Sequence, residues 1–208
     1  WVWAYRSGWV VPFTLLGGFL ILAWGVLESM RGSMEVGRGF PSASANLMAV
    51  FYLGWPFSIL TVYHPLHDPA LYDRNRPLEL VLVLVTLWVS DSGAYFVGRA
   101  WGRHKVTPLI SPNKSLEGYL SGLLLSLLAA TLYGRYFFPS WPLLRLPALA
   151  LVICLAGFLG DLFESLLKRG ARVNDSSHLL PGHGGILDRV DSLLFALPAY
   201  YLFSILII

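Results

Sequence analysis

The chain has 208 residues, of which 56% are hydrophobic and 13% are charged, with a formal net charge of +3 and a mean hydropathy of +0.62. Soluble domains carry on average about twice this share of charged residues, so the composition excludes an ordinary soluble globular protein and predicts an integral membrane protein. The single cysteine, Cys154, lies in an apolar run, which excludes an intrachain disulfide and a cluster of thiolate metal ligands.

Six apolar windows are long enough to cross about 30 Å of hydrocarbon. They cover residues 8–27, 45–63, 78–98, 118–138, 146–166 and 190–208. These windows predict an all-α polytopic membrane protein with about six transmembrane helices. The windows 78–98 and 146–166 run into charged residues, so their last turns are expected to leave the hydrocarbon or to face a polar cavity.

The basic residues predict how the helices are oriented in the membrane. Ten of the 15 Lys and Arg residues fall in three loops, 28–44, 99–117 and 167–189. Because cytoplasmic loops carry an excess of Lys and Arg, these three loops are expected on the cytoplasmic side of the inner membrane. A site for an anionic ligand in the same loops would also concentrate cations there.

The segment "SDSGAYFVGRAWGRHKVTPLISPNKSLEG", residues 90–118, combines an acidic residue in a membrane helix with a basic loop. Asp91 lies on the inner part of the third window, and Arg99 and Lys114 belong to the loop that follows. Residues Ser115 to Gly118 are expected to open the next helix, where Glu117 could balance Lys114. Such a loop could instead bind only anionic lipid headgroups, although Asp91 and Glu117 fit that interpretation poorly.

The segment "GDLFESLLKRG", residues 160–170, places Asp161, Glu164, Ser165 and Lys168 on one face of a helix, because they are spaced i, i+3, i+4 and i+7. Two carboxylates on one stripe indicate a site for a hard cation. The alternative is a solvated helix end at which Lys168 pairs with Glu164.

The segment "PGHGGILDRVDS", residues 181–192, contains Asp188 and Asp191 three residues apart at the start of the sixth window. Carboxylates at that position also favour the helix dipole, so an N-cap role for either residue is the alternative. The preceding glycines would let backbone amides approach a phosphate. Together with the carboxylates of residues 160–170 and with nearby Lys and Arg, the segment predicts a site that holds a divalent cation and a polyanion.

The run "SLLKRGARVNDSSHLLPGHGGILDRVD" resembles the signature of the phosphatidate cytidylyltransferases (CDP-diacylglycerol synthases). The segments "DSGAYFVGR" and "ISPNKSLEG" are similar to two further motifs of that family, with Ser92 and Ser115 in place of Thr. The resemblance covers about residues 80–200. Asn174 departs from the pattern, which has Lys at this position. Asparagine removes a positive charge there. That charge would either face a phosphate or lie in solvent, where it contributes little.

The resemblance implies transfer of CMP from CTP to phosphatidic acid, giving CDP-diacylglycerol and pyrophosphate in phospholipid biosynthesis. Mg²⁺ fits as the cofactor, because it prefers carboxylate and phosphate oxygens. Four carboxylates exceed the usual need of one Mg²⁺, so a second cation in the same site is expected. Membrane lipids are the expected surroundings, no nucleic-acid partner is expected, and a homodimer is left open. The family also has further membrane helices before the matching region, so N-terminal helices are expected to be missing. Residues 1–77 would supply N-terminal membrane helices and connecting loops, and residues 78–208 the catalytic membrane region.

The resemblance also implies roles for individual residues. The residues implied in catalysis are Asp161, Lys168, Asp188 and Arg189. The implied metal ligands are Asp161 and Asp188, supported by Glu164 and Asp191. The residues implied in substrate binding are Asp91, Arg99, Lys114, Glu117, Ser165, Arg169, Asp175, His183, Gly184 and Gly185. Two alternatives are a CTP-dependent lipid kinase of the dolichol or phytol kinase type, and a non-enzymatic cation transporter.

Overall fold

The computed structural model of the chain describes residues 47–60, 76–108, 110–173, 175–177 and 185–207. The chain divides into two compact units, Trp1–Leu66 and His67–Ile208. In the first unit a π-helix, Val50–Gly54, continues into helix α1, Trp55–Leu60. This helical segment falls within the predicted window 45–63, whereas the predicted window 8–27 lies outside the described residues. The predicted functional boundary between residues 77 and 78 stays a prediction.

The described residues of the second unit form four long helices and a β-hairpin. Its elements are α2 (Arg76–Trp101), β1 (Lys105–Thr107), β2 (Ser111–Ser115), α3 (Leu116–Phe137), α4 (Arg145–Gly170) and α5 (Leu187–Ile207). Three segments of these helices, Pro77–Trp101, Leu116–Phe137 and Arg145–Gly170, are long and apolar enough to cross a membrane. They confirm the windows 78–98, 118–138 and 146–166. Helix α5 covers residues 190–207 of the sixth window, and its crossing of the membrane stays a prediction. The protein is a mostly helical integral membrane protein.

Glycines allow α2 and α3 to pack closely in an antiparallel arrangement. A Cβ atom added to Gly122 of α3 would lie 2.3 Å from the backbone oxygen of Ser90 of α2, and one added to Gly118 would lie 2.7 Å from that of Ala94. Small residues commonly bring membrane helices together in this way, because backbones can then make extensive van der Waals contact. The pairing fixes the position of Asp91, which lies between these contacts on α2.

Helices α4 and α5 form the second antiparallel pair and contribute most of the buried core. A Cβ atom added to Gly160 of α4 would lie 2.5 Å from the backbone oxygen of Asp191 of α5. The buried apolar residues of this pair are Leu146, Leu149, Ala150, Ile153, Cys154, Leu194, Ala196, Leu197, Tyr200 and Phe203. The close contact at Gly160 brings the last turns of α4 against the first turns of α5, where the acidic residues of both helices lie.

The β-hairpin between α2 and α3 was not predicted, because the sequence indicated only helices joined by a basic loop. Strands β1 and β2 are antiparallel, with Lys105 opposite Ser115 and Thr107 opposite Ser111. Ser115 caps α3, because its hydroxyl accepts a hydrogen bond of 3.2 Å from the backbone amide of Gly118. The predicted helix start at Ser115 to Gly118 is therefore confirmed, and the hairpin places Lys114 directly before this cap.

Candidate functional site

Two groups of charged side chains lie at the end of the bundle where α2 and α4 finish and α3 and α5 begin. The Lys114 cluster consists of Asp91, Lys114, Asp161 and Asp191. The Lys168 cluster consists of Glu164, Lys168 and Asp188. Each cluster joins residues from different elements, so the fold assembles both from segments that are distant in sequence.

In the Lys114 cluster, one ammonium group faces carboxylates from three helices. Lys114 forms an ion pair with Asp161 of α4, and its Nζ lies 5.4 Å from the centroid of the Phe158 ring. Asp91 of α2 is repelled electrostatically by Asp161 and by Asp191 of α5 and is attracted by Lys114. The cluster contains three carboxyl groups and one lysine, so a bound cation would offset the repulsion among the carboxylates.

In the Lys168 cluster, one lysine connects α4 to the first turn of α5. Its Nζ lies 2.5 Å from a carboxylate oxygen of Glu164 and 2.7 Å from Oδ1 of Asp188. The side chain of Glu164 is only 1% exposed, so the ammonium faces a carboxyl group that is almost fully removed from solvent. The Lys168–Glu164 pair predicted as the alternative for this helix end is thus present, and Asp188 extends it across two helices.

Asp188 also binds two described residues that precede α5, Ser176 and Gly185. Its Oδ2 accepts hydrogen bonds from the backbone amide of Ser176 at 3.0 Å, from the Ser176 hydroxyl at 2.7 Å and from the backbone amide of Gly185 at 2.8 Å. Burial by itself would raise the pKa of Asp188, but Lys168 and these donors hold it well below its ordinary value. Because α5 begins at Leu187, Asp188 and Asp191 lie inside the helix, and the N-cap alternative is wrong for both.

The predicted metal ligands have the right chemistry for a hard cation, since carboxylate oxygens are the donors that Mg²⁺ prefers. Their arrangement is less direct than predicted, because Asp161 pairs with Lys114 whereas Asp188 pairs with Lys168. Among the described residues, no three His, Cys, Asp or Glu side chains converge as ready-made metal ligands. The joint role of Asp161 and Asp188 at one ion therefore stays a prediction.

Several residues predicted to bind substrate lie around these clusters. Glu117 does not balance Lys114; it accepts hydrogen bonds from the backbone amides of Arg103 and His104, at 3.1 Å and 3.2 Å. Arg99 donates to the Tyr95 hydroxyl at 2.8 Å, and Arg169 donates to the backbone oxygen of Ile110 at 3.4 Å.

The remaining predicted residues differ in their exposure to solvent, and some lie outside the described part of the chain. Ser165 is partly buried, and Asp175 and Arg189 are exposed. His183, Gly184 and Asn174 lie outside the described residues.

Three contributors to this region were not predicted from the sequence. Ser176 was missed because a serine in a loop gives no pattern, although its neighbour Asp175 was selected. Phe158 was missed because an aromatic residue in an apolar window is usually core. His104 was counted only as part of the basic loop, yet its Nδ1 lies 2.5 Å from Oε1 of Glu117. Each of these contacts depends on elements that are brought together only by folding.

The fold and the site define a class of protein: a polytopic helical membrane protein that collects acidic and basic side chains from several helices at one end of its bundle. Residues 2–207 match the model of the Cytidylyltransferase family. Because the match covers nearly the whole chain, the protein belongs to this family.

Curated relatives support the same assignment. The chain is 38% identical over 185 residues to a phosphatidate cytidylyltransferase of Staphylococcus saprophyticus, covering 86% of this chain and 64% of the relative. It is 37% identical over 196 residues to that of Staphylococcus epidermidis, covering 91% of this chain and 69% of the relative. It is 47% identical over 154 residues to that of Bacillus subtilis, covering 74% of this chain and 55% of the relative. The chain thus spans between 55% and 69% of the length of these relatives.

Proposed function

We propose that this chain transfers CMP from CTP to phosphatidic acid, giving CDP-diacylglycerol and pyrophosphate. The observation that carries the proposal is the family match over residues 2–207, because it includes every element that contributes to the two charged clusters. The names of the curated relatives agree with this reaction and do not favour a lipid kinase.

The reaction brings together two polyanions, since an oxygen of the lipid phosphate must attack the α-phosphorus of CTP. Catalysis of this kind depends mainly on positioning the reactants and on offsetting their charge. Lys114 and Lys168 are held at the ends of different elements by ion pairs with Asp161, Glu164 and Asp188. We assign these two lysines, together with Arg189, to neutralising phosphate charge.

We further propose that Mg²⁺ is the cofactor. Asp161 and Asp188 would be its main ligands, with Glu164 and Asp191 in support, and the separation of the carboxylates into two clusters favours a second cation. When bound, Mg²⁺ would offset phosphate charge and orient the transferred phosphoryl group. The excess of acidic groups around Lys114 supports this assignment, because bound cations would reduce the repulsion among Asp91, Asp161 and Asp191.

The remaining substrate contacts belong to the same proposal. The further residues assigned to the substrates are Asp91, Arg99, Ser165, Arg169, Asp175, His183, Gly184 and Gly185. For Gly185 the structure gives a different contact, because its amide donates to Asp188. Gly185 would then contribute to phosphate binding indirectly, by holding Asp188 in place.

For the membrane arrangement, we propose about six spans in the inner membrane. The loops 28–44, 99–117 and 167–189 and the active site would face the cytoplasm. The distribution of Lys and Arg supports this orientation. CTP would then reach the site from the cytoplasm and phosphatidic acid from the bilayer, and a homodimer is compatible with the arrangement.

The test is incubation of the purified chain with CTP labelled in the cytosine ring and phosphatidic acid, with and without Mg²⁺. We expect labelled CDP-lipid and pyrophosphate, formed only with the metal. Labelled CDP together with a newly phosphorylated lipid acceptor would instead identify a CTP-dependent kinase. No turnover with any lipid phosphate would contradict the enzymatic proposal.

A further inference from the structure

Glu117 binds the segment that joins α2 to the β-hairpin. Its Oε2 accepts hydrogen bonds from the backbone amides of Arg103 and His104, at 3.1 Å and 3.2 Å. Its Oε1 lies 3.2 Å from the same His104 amide and 2.5 Å from His104 Nδ1. A carboxylate has about four sites for accepting hydrogen bonds, and three donors already occupy most of them, so Glu117 has little capacity left to bind a substrate directly.

These contacts lie at the base of the hairpin. The backbone amide of Leu116 donates to the carbonyl of His104 at 2.8 Å, and Lys105 stands opposite Ser115 in the strand register. Glu117 therefore links the entrance of the hairpin to its exit. We call the contacts of Glu117 with Arg103 and His104 the hairpin clip.

The residue at the exit of the hairpin is held tightly. Ser115 is 4% exposed, and its hydroxyl caps α3. A Cβ atom added to Gly102 would lie 2.4 Å from Ser115 Oγ. Because there is so little free space at the base, a shift of residues 102–104 would also move Ser115 and the residue before it.

That preceding residue is Lys114, whose ammonium forms the ion pair with Asp161 and lies over the Phe158 ring. A lysine side chain is flexible, so ordering its ammonium against Asp161 costs conformational entropy. Holding the backbone of Lys114 in place lowers the conformational freedom that this contact has to restrict. The hairpin clip holds that backbone from outside the Lys114 cluster.

We propose that Glu117 is a positioning residue: through the hairpin clip it holds Lys114 in contact with Asp161. This assignment rests on the proposed function for its consequence in catalysis, because Lys114 is there assigned to neutralising phosphate charge. It replaces the direct substrate contact predicted for Glu117.

The first test measures the Lys114–Asp161 contact without using activity. The full chain, reconstituted in lipid nanodiscs, is treated with a water-soluble carbodiimide, which joins a lysine amine and a carboxylate in contact as an amide while it takes up the water released. The yield of the Lys114–Asp161 crosslink is quantified by mass spectrometry. The crosslinks from Lys168 to Glu164 and Asp188 serve as an internal control, since that cluster lies between α4 and α5.

We expect Glu117→Ala to lower the Lys114–Asp161 yield several-fold and to leave the Lys168 yields unchanged. Glu117→Gln keeps one oxygen acceptor and should cause a smaller loss, and His104→Ala removes only the imidazole contact and should also cause a smaller loss. An unchanged Lys114–Asp161 yield in Glu117→Ala would overturn the proposal. A parallel fall of all crosslinks would also overturn it, because Glu117 would then support the bundle as a whole.

The second test is a double-mutant cycle on CDP-lipid formation, with Glu117→Ala, Lys114→Met and the two combined. If Glu117 acts through Lys114, the combined variant should have the same kcat/KM as Lys114→Met alone. Losses that multiply would show that Glu117 acts on the substrate independently. Failure of the proposed function would appear as no CDP-lipid from the unsubstituted chain, and the crosslinking result would still decide the role of Glu117.

Discussion

The ammonium of Lys168 lies 2.7 Å from Oδ1 of Asp188 and so joins the last turns of α4 to the first turn of α5. The same ammonium compensates Glu164, whose side chain is almost completely buried. The cluster is therefore both a structural link between two helices and a place where positive charge is fixed beside the proposed phosphate site. These two roles can be separated by substitution.

Lys168→Met should destabilise the protein by about 3 kcal/mol, because breaking a buried ion pair leaves an uncompensated charge. The double variant Lys168→Met/Glu164→Gln should recover much of this stability, since a neutral amide then replaces the buried carboxylate. Thermal unfolding in detergent, followed by circular dichroism, measures both effects. A double variant no more stable than the single one would mean that Lys168 stabilises the helices by packing alone. Both variants should remain inactive in CDP-lipid formation.

Asp161→Asn and Asp188→Asn should each lower kcat by about 100-fold or more, because each removes a negative charge from the proposed cation site. Removing one electrostatic stabiliser from an active site typically causes a loss of this size. For Asp161 the stability change should be within about 1 kcal/mol, since its pair with Lys114 is partly exposed to solvent. The measurements are CDP-lipid formation over a range of Mg²⁺ concentrations and thermal unfolding. Full activity in both variants would remove these carboxylates from the mechanism.

Gly122→Ala should destabilise the α2–α3 pair by about 1–3 kcal/mol, because the new methyl group would overlap the backbone oxygen of Ser90. Gly170→Ala is the matched control, since a Cβ atom there would meet nothing within 4 Å. Replacing glycine at such an open helical position should leave stability unchanged or raise it by about 0.5–1 kcal/mol. Equal effects of the two substitutions on thermal unfolding would mean that Gly122 is not required for the close packing of α2 on α3.

The sequence predicted the long helices of the second unit well, because continuous apolar windows and charged ends are local properties of the chain. The Lys168–Glu164 pair was also predicted, as an alternative to a cation site, since residues spaced i, i+4 on a helix lie next to each other. The hairpin was not predicted, because β1 has three residues and the loop contains Pro108 and Pro112, which leaves almost no strand periodicity to detect. Lys114 was matched with its sequence neighbour Glu117 rather than with Asp161, because that ion pair exists only after α4 packs beside the hairpin.

At the opposite end of the bundle, Tyr200 of α5 donates a hydrogen bond of 2.5 Å to Oε2 of Glu79 of α2. The side chain of Tyr200 is 1% exposed, so Tyr200→Phe would keep the packing of the ring and leave the carboxylate without this donor. We expect a loss of about 1–3 kcal/mol in stability, because hydrogen bonds to charged groups contribute on this scale. Since Glu79 and Tyr200 belong to neither charged cluster, kcat/KM for CDP-lipid formation should stay within about twofold of the unsubstituted value at temperatures where the variant is folded. Thermal unfolding and steady-state kinetics on the same preparation measure the two quantities.

Glu79→Gln in the Tyr200→Phe background is the control: it replaces the carboxylate that has lost its donor with a neutral amide and should restore part of the stability. A large fall in kcat/KM with unchanged stability would show that the chemistry extends to this end of the bundle, contrary to the site assigned at the ends of α2 and α4.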